Sequence, residues 1–235
     1  MSEVAHVGSD SGEQRSAAGF GDTPILRAGA RERPVRVAVI GEFNSGKTSL
    51  VNALLGADVL PTSFITHTPY PTVIRFAAKP SLSAEIAQRR RVPFAWEHLD
   101  RSPSHHIHRL HVGMPLDRLR HLRPIDTPGL GLGDEVLEAR TLRACRSADT
   151  IVWCTPAMQA WKASEHQAWL ALPRAVRRRG ILAVTFMDAL RSQSDEGRLM
   201  ARLQAEAGAL FRKIVTISAH EVPAALRRDL GAVGI

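Results

Sequence analysis

Eight consecutive residues near the start of the chain, Gly41 to Thr48, have the types and spacing that bind phosphate. They match the pattern G-x-x-x-x-G-K-[ST], a loop whose backbone N–H groups surround phosphate oxygens. In that pattern Lys47 reaches the β- and γ-phosphates, and the hydroxyl of Thr48 binds Mg²⁺. The predicted nucleotide-binding residues of this loop are Glu42, Phe43, Asn44, Ser45, Gly46, Lys47, Thr48 and Ser49.

The residues on either side favour this P-loop over a glycine-rich turn of some other α/β protein. A β-branched run, Val35 to Ile40, precedes the loop, and a helix-forming segment, Thr48 to Leu55, follows it. The motif holds phosphate in this strand–loop–helix context, because the N-terminus of the helix adds partial positive charge.

A second group of chemically apt residues follows a later predicted strand, Leu119 to Ile125. That strand leads into Asp126, with Gly129 three residues further on. A carboxylate at the end of a strand can hold a magnesium-bound water, and a glycine N–H can approach the γ-phosphate closely. D-T-P-G alone is a common turn sequence. Together with a P-loop earlier in the chain, it predicts that Asp126 and Thr48 share a Mg²⁺ site.

The loop between these two groups supplies a third set of candidates. Gly56 to Pro71 is polar and rich in proline and threonine, which predicts a long mobile loop. A γ-phosphate sensor in this loop needs a hydroxyl for Mg²⁺ and an N–H for phosphate. Thr66 and Thr68 both meet that requirement.

The remaining elements predict an α/β fold whose mostly parallel sheet is covered by helices on both faces, because strands alternate with helices. We expect the strands 72–78 and 82–87 to form a hairpin, and a turn at 113–115 to join the strands 107–112 and 119–125. The other predicted elements are strands at 149–154, 180–187 and 213–217 and helices at 135–146, 164–178, 194–211 and 222–230.

A histidine cluster lies in the segment 89–109, for which the pattern predicts no element. His106 and His108 would share one face of a strand, and zinc favours imidazole ligands. No cysteine lies nearby and no carboxylate has a fixed spacing to them, so a basic surface insertion is the preferred interpretation. The other histidines of this region are His98, His105, His111 and His121.

Composition bounds the domain organisation. At 235 residues with 44% hydrophobic content, the chain can bury one substantial core. Residues 1–33 lack a periodic apolar face, so we expect a disordered leader followed by one domain over 34–235. The leader carries no secretory signal, and no window approaches the apolar length of a membrane span.

The charge balance favours an anionic partner, because basic residues exceed acidic ones by eight. Lipid headgroups, nucleic acid and an acidic protein face all fit. An aromatic content of 5% provides few stacking platforms for bases, so nucleic acid is the least favoured. Two cysteines, Cys145 and Cys154, form no disulfide framework and indicate core positions in a cytoplasmic protein.

Four blocks of sequence resemble the G domain of bacterial dynamin-like GTPases. They are G-E-F-N-S-G-K-T-S-L-V-N-A-L-L-G, then L-P-T-S-F-I-T-H-T-P-Y-P-T-V-I-R-F, then I-D-T-P-G-L, then A-D-T-I-V-W-C-T-P with K-A-S-E. The resemblance implies a P-loop GTPase fold with a Ras-like core and a strand-containing insertion between two switch regions. It also implies Mg²⁺-dependent binding and hydrolysis of GTP. Thr66 falls at the switch threonine of the family, with Thr68 as the alternative.

The same resemblance identifies a base-recognition motif. Thr185 to Asp188 stands where the family has [TN]-K-x-D. Asp188 can accept hydrogen bonds from the N1–H and N2–H₂ edge of guanine, and Phe186 replaces the lysine that usually lies against the base. Ser218 and Ala219 resemble the final motif, whose backbone N–H faces the guanine oxygen.

The catalytic residues depart from the family pattern. Phe43 stands where dynamins often have a polar catalytic residue, and Leu130 stands where Ras-like enzymes have glutamine. We therefore expect slow hydrolysis by the isolated chain and activation by dimerisation across the nucleotide face. Asn44 resembles the asparagine that holds K⁺ in potassium-activated GTPases, although a plain loop asparagine explains it equally well. The candidate catalytic residues are Lys47, Thr66 and Asn44.

The resemblance also suggests partners. Members of the family continue into a helical stalk, whereas this sequence ends seventeen residues after Ser218. We expect either a piece of a longer protein that has the stalk or a stalkless member that works with a stalk-bearing partner protein, in addition to a homodimer. The other expected partner is an anionic membrane, which the protein would bind peripherally at the inner face. A nucleotide-binding regulatory protein with little hydrolysis remains the alternative function, and a GTPase that docks RNA is a third.

Overall fold

The structure is a computed structural model that describes residues 33–62, 69–95, 106–131, 133–190 and 192–217. Several predictions fall outside these residues. They concern the leader up to residue 32, Thr66, Thr68, His98, His105, Ser218, Ala219 and the helix at 222–230.

The strands of the described residues form one nine-stranded sheet. In chain order they are β1 (Val35–Gly41), β2 (Thr72–Phe76), β3 (Ser81–Glu85), β4 (Arg91–Pro93), β5 (Arg109–Met114), β6 (Leu122–Asp126), β7 (Thr150–Pro156), β8 (Gly180–Thr185) and β9 (Ile214–Thr216). Their order across the sheet is β4-β3-β5-β2-β6-β1-β7-β8-β9. The five strands from β6 to β9 in this order are parallel neighbours, whereas β2 runs antiparallel to β6.

Helices follow the parallel strands in the chain. They are α1 (Lys47–Leu55) after β1, α2 (Glu135–Ser147) after β6, α3 (Ala163–Ala171) and α4 (Arg174–Arg177) after β7, and α5 (Gln193–Ala207) after β8. Within the part of the chain that the structure describes, no helix is long and apolar enough to cross a bilayer. The predicted α/β fold with a mostly parallel sheet is confirmed.

Strand β1 lies in the centre of the core. Successive residues of a strand point to opposite faces of the sheet, and Val37 to Ile40 are all fully buried. Both faces of the sheet are therefore covered at β1, which is why this strand is a continuous apolar run instead of an alternating one.

The predicted hairpin of β2 and β3 is wrong. Strand β5 lies between them, parallel to β2 and antiparallel to β3. Residues 110–114 of β5 are all buried, as in a strand that is covered on both faces, whereas the buried residues of β3 alternate with more exposed ones. The strand that buries both faces therefore takes the inner position. β3 instead pairs with the short strand β4, which the sequence did not predict.

The predicted turn between β5 and β6 is also wrong. Strand β2 separates the two strands in the sheet, and the chain between them forms a 3-10 helix, Asp117–Arg120. Leu119, predicted to begin the strand, belongs to that 3-10 helix, and β6 begins at Leu122. Leu119 is buried within this 3-10 helix. The sequence prediction was wrong because it assigned this buried apolar residue to the strand.

The predicted helix at 164–178 is two helices. It breaks after Ala171, where Leu172 has φ −69° and ψ 145°, and α4 begins after Pro173. A proline ring clashes with the backbone of the residue before it and drives that residue out of the helical region. The break at Leu172 follows directly from Pro173.

A buried carboxylate joins β7 to the start of α3. Glu165 is fully buried and accepts hydrogen bonds from the indole N–H of Trp153 at 3.1 Å, the hydroxyl of Thr155 at 2.8 Å and the backbone N–H of Lys162 at 2.9 Å. Around it, Trp153 packs edge-to-face against Trp161 and Trp169, with ring centroids 6.2 and 5.7 Å apart. We call these three rings the tryptophan cluster.

Replacing Glu165 with alanine should lower the free energy of unfolding by about 3 kcal/mol, because two buried donors and one partly buried donor would lose their acceptor. Chemical denaturation followed by circular dichroism measures the change. Glu138→Ala, at an exposed position of α2, is the control and should stay within about 0.5 kcal/mol of the wild type. A Glu165→Ala protein as stable as that control would show that the buried carboxylate contributes no net stability.

The two cysteines are core residues. Cys145 and Cys154 are both buried and free of a disulfide. Burial raises the pKa of each thiol to about 12, so both stay protonated at neutral pH. Protonated, buried thiols pack as small apolar side chains.

Candidate nucleotide-binding site

The candidate site lies at the carboxyl edge of the parallel strands. β1 ends at Gly41, β6 at Asp126 and β8 at Thr185, and parallel neighbours bring these ends to one edge of the sheet. Open α/β sheets bind ligands at this edge. Three of the predicted motifs therefore meet there although they are far apart in the sequence.

The backbone of the loop 41–48 has the conformation of a tight cradle. Asn44 and Gly46 adopt positive φ angles of 57° and 78°. A Cβ atom at Gly41 would lie 2.5 Å from the carbonyl oxygen of Cys154, which no side chain can accommodate. Gly41 is thus required by the close approach of β7 to the end of β1.

Lys47 reaches back over this loop. Its ammonium donates to the carbonyl oxygen of Glu42 at 2.5 Å, and the hydroxyl of Ser45 donates to the same oxygen at 2.8 Å. Lys47 is 7% exposed, and this burial lowers its pKa, while the charges of Asp126 and Glu42 act in the opposite direction. The arrangement holds a buried positive charge inside the curve of the loop.

Thr48 and Asp126 meet as the sequence predicted. The Thr48 hydroxyl donates to Oδ2 of Asp126 at 2.9 Å, and the backbone N–H of Thr127 donates to Oδ1 at 3.1 Å. A hydroxyl and a carboxylate are the hard oxygen ligands that Mg²⁺ prefers. These two side chains fit the ion and would hold it beside Lys47.

Gly129 lies against the P-loop. A Cβ atom added to Gly129 would lie 3.0 Å from Cα of Phe43, so glycine permits this close approach. The next residue, Leu130, donates its backbone N–H to the carbonyl oxygen of Gly41 at 3.0 Å, and its side chain is buried in the core. The position where Ras-like enzymes have glutamine thus presents no polar side chain to the loop.

The predicted base-recognition residues lie on the other side of the P-loop. Thr185 donates its hydroxyl to the carbonyl oxygen of Ser45 at 2.9 Å. Phe186 has a left-handed backbone, φ 56°, and its ring edge would be 3.2 Å from a Cβ at Gly46. Asp188 is exposed on the following 3-10 helix. The Phe186 ring therefore packs on the P-loop, and Asp188 is left accessible beside it.

A family model for the dynamin family matches residues 37–188, which is more than half of the chain. This chain belongs to the dynamin family. The predicted resemblance to bacterial dynamin-like GTPases is confirmed, and with it the P-loop GTPase fold. Membership of the dynamin family implies GTP binding and GTPase activity in general terms.

Two curated relatives match this dynamin-family chain over part of their length. Dynamin-like protein 2 of Campylobacter jejuni is 32% identical over 142 residues, which are 58% of this chain and 23% of the relative. The isoniazid-induced protein IniC of Mycobacterium tuberculosis is 33% identical over 133 residues, 53% of this chain and 27% of the relative. The chain spans about a quarter of the length of these relatives.

Solved structures show the same fold. An oligomerised bacterial dynamin pair, described as sensing and tethering membranes at long range, superposes with a TM-score of 0.58 at 23% identity, covering 79% of this chain and 31% of that one. The GTPase Era of Aquifex aeolicus bound to GDP·AlF₄⁻ has a TM-score of 0.51 at 17% identity, with 86% and 56% covered. At these identities the likeness concerns the fold alone.

One contact of the dynamin-type P-loop was not predicted from the sequence. The carboxylate of Glu42 pairs with the ammonium of Lys162 at 2.6 Å. Burial opposes ionisation of Glu42, but the hydrogen bonds from Lys162 and Ser164 outweigh it, and its pKa lies below the usual value. Lys162 belongs to the K-A-S-E block, where Glu165 accepts the backbone N–H of the residue before the helix, as the glutamate of a capping box does. That capping contact gives no information about the partner of Lys162 across the fold.

The histidines form no metal site among the residues that the structure describes, where no group of three or more potential ligands occurs. His111 is buried, and its Nε2 lies 2.7 Å from the carboxylate of Glu85 on the neighbouring strand β3. Burial lowers the pKa of His111, although the Glu85 carboxylate acts against that change. His111 is therefore a partnered residue of the sheet.

Proposed function

We propose that this chain is a Mg²⁺-dependent GTP-binding and GTP-hydrolysing switch whose hydrolysis depends on dimerisation. The observation that carries the proposal is the contact of Thr48 with Asp126 at 2.9 Å, beside the buried ammonium of Lys47. It brings a hydroxyl, a carboxylate and a cation together at the carboxyl edge of the sheet. That combination suits a triphosphate with its metal ion.

Each residue has a proposed role. Mg²⁺, when bound, would neutralise charge on the β- and γ-phosphates, and Thr48 and Asp126 would hold it together with Thr66. Lys47 and the backbone N–H groups of the loop would bind phosphate oxygens, and Gly129 would contact the γ-phosphate. The proposed guanine contacts are Asp188, Thr185, Ser218 and Ala219.

The isolated chain should hydrolyse GTP slowly. Leu130 is buried and offers no amide to orient water, and Phe43 offers no polar group from the P-loop. A second molecule that covers the nucleotide face would exclude bulk water, leave room for the attacking water and add groups to the site. The oligomerised bacterial dynamin pair with the same fold supports association as the route to activity.

GTP turnover per molecule should rise with protein concentration, and it should rise further when potassium replaces sodium. Asn44 would hold the monovalent cation where charge develops in the transition state. Phosphate release measured over a concentration series in each salt tests both expectations. Asn44→Ala should remove the potassium effect and leave the concentration effect. Rates that stay flat in both series would contradict the proposal.

A second candidate function is a nucleotide-binding regulatory subunit with little hydrolysis. The observation that favours it is the burial of Leu130 beside Gly41, since no catalytic side chain replaces the missing amide. This function predicts tight GTP binding and no turnover at any protein concentration. The concentration series therefore separates the two candidates.

The proposed place of action is the cytoplasmic face of a membrane, reached directly or through a stalk-bearing partner protein. The net charge of +8 favours an anionic surface, and the bacterial dynamin pair is described as tethering membranes. Co-sedimentation with phosphatidylglycerol vesicles, compared with a gel shift on RNA, tests this placement. Binding to RNA alone would favour a nucleic-acid partner instead.

A further inference from the structure

A cavity separate from the P-loop lies between the β3–β4 connection, the start of β5 and helix α2. Its volume is about 290 Å³, near the small end of the range for ligand pockets, about 300–1,000 Å³. Its ionisable lining residues are Arg89, Arg109, Arg140, Arg143, His108 and Glu85. Four guanidinium groups thus face one carboxylate.

That carboxylate and one of the arginines already have partners. Glu85 lies 2.7 Å from Nε2 of His111. Arg140 is buried and donates to the carbonyl oxygen of Pro69 at 3.2 Å. The guanidinium groups with N–H donors left for a ligand are therefore those of Arg89, Arg109 and Arg143.

The side chains of these three arginines form no hydrogen bond or ion pair with any residue that the structure describes. Arg89 and Arg143 are exposed, and Arg109 is partly buried. Burial lowers the pKa of Arg109; the charge of Glu85 opposes this change, and the charge of Arg143 adds to it. Converging like charges repel one another unless an anion lies between them.

The backbone at the rim of the cavity is also unusual. Gln88 and Arg89 both have left-handed φ angles, 56° and 59°, although neither is glycine. Two consecutive residues in this region are rare, and such strain is concentrated at ligand and switch sites. The connection between β3 and β4 therefore holds Arg89 at the cavity in a conformation that the chain does not adopt by default.

We infer that this cavity binds the phosphate group of a small anion, held by Arg89, Arg109 and Arg143. A guanidinium matches a phosphate by two parallel N–H···O bonds and keeps its charge at all physiological pH values. The phosphate of a free metabolite and the phosphodiester of a lipid headgroup share this chemistry. The inference does not depend on GTP hydrolysis, since none of these residues belongs to the P-loop site.

The test uses the whole chain saturated with Mg²⁺ and GDP, so that the P-loop is filled. Isothermal titration calorimetry with glycerol 3-phosphate should show one saturable site. Arg143→Gln and Arg89→Gln should each weaken binding by about tenfold or more, as expected for a lost charge-assisted bond. Because both side chains are exposed, the variants should fold normally. Arg174→Gln, an exposed arginine of α4, makes the same charge change elsewhere and should bind as the wild type does.

A vesicle experiment distinguishes the two sources of phosphate. The same proteins are sedimented with phosphatidylcholine vesicles that contain or lack phosphatidylglycerol. Saturable binding of glycerol 3-phosphate that needs Arg143 indicates a free metabolite. Binding only to phosphatidylglycerol vesicles, lost in Arg143→Gln but kept in Arg174→Gln, indicates a lipid headgroup. The inference is overturned if neither probe binds, or if all variants bind both probes equally.

Discussion

Replacing Lys47 with alanine should reduce GTP hydrolysis by about a hundredfold or more, the loss seen when one charge-stabilising contact is removed from a transition state. The ammonium of Lys47 lies inside the curve of the P-loop, 2.5 Å from the carbonyl oxygen of Glu42. Its burial makes the charge more effective, because little water screens it. Phosphate release under saturating GTP, at the highest protein concentration tested, measures the effect.

Lys79→Ala is the matched control, since Lys79 is an exposed lysine outside the site. It should leave turnover and nucleotide affinity unchanged. A Lys47→Ala protein that still hydrolyses GTP at the wild-type rate would contradict the assignment of the phosphate site. Circular dichroism of the variant excludes unfolding as the cause of a loss.

Asp188→Asn should exchange guanine for xanthine as the preferred base. The carboxylate accepts from N1–H and N2–H₂ of guanine, whereas an asparagine amide accepts from N1–H of xanthine and donates to its 2-oxo group. Losing a charged acceptor and gaining an unmatched donor should weaken GTP binding by about a hundredfold or more. Competition of GTP and XTP against a fluorescent GDP measures both affinities.

The corresponding control is Asp117→Asn, an exposed carboxylate far from the base motif in the sequence. Its GTP and XTP affinities should equal those of the wild type. Equal GTP affinity for Asp188→Asn and the wild type would mean that a motif with Phe186 in place of lysine does not read the base through Asp188. The nucleotide preference would then need a different explanation.

The parts of the fold that local sequence determines were predicted well. The β-branched run before Gly41 and the helix after it are local patterns, and both appear as β1 and α1. The proximity of Thr48 and Asp126 was also predictable, because parallel strands bring their carboxyl ends to one edge. Each of these inferences needs only a strand, its direction and the residue that follows it.

Predictions that depended on the pairing of distant segments were less successful. β5 lies between β2 and β3 because β5 is buried on both faces. The sequence prediction instead paired β2 with β3 because they are consecutive in the chain. Pro173 alone would have predicted the break between α3 and α4, but the prediction followed the helical periodicity of the apolar residues. The pairing of Glu42 with Lys162 joins two segments 120 positions apart, and no local pattern specifies it.

The tryptophan cluster has a practical consequence for studying this chain. The backbone N–H of Trp161 donates to the hydroxyl of Thr155 at 2.9 Å, and the hydroxyl of Thr185 bridges the carbonyl oxygens of Thr155 and Ser45. Two residues, Thr185 and Thr155, thus connect the P-loop to the backbone of the buried Trp161. Indole emission shifts with its surroundings, so we expect nucleotide binding at the P-loop to change the intrinsic fluorescence of the unlabelled chain, which rapid-mixing experiments measure.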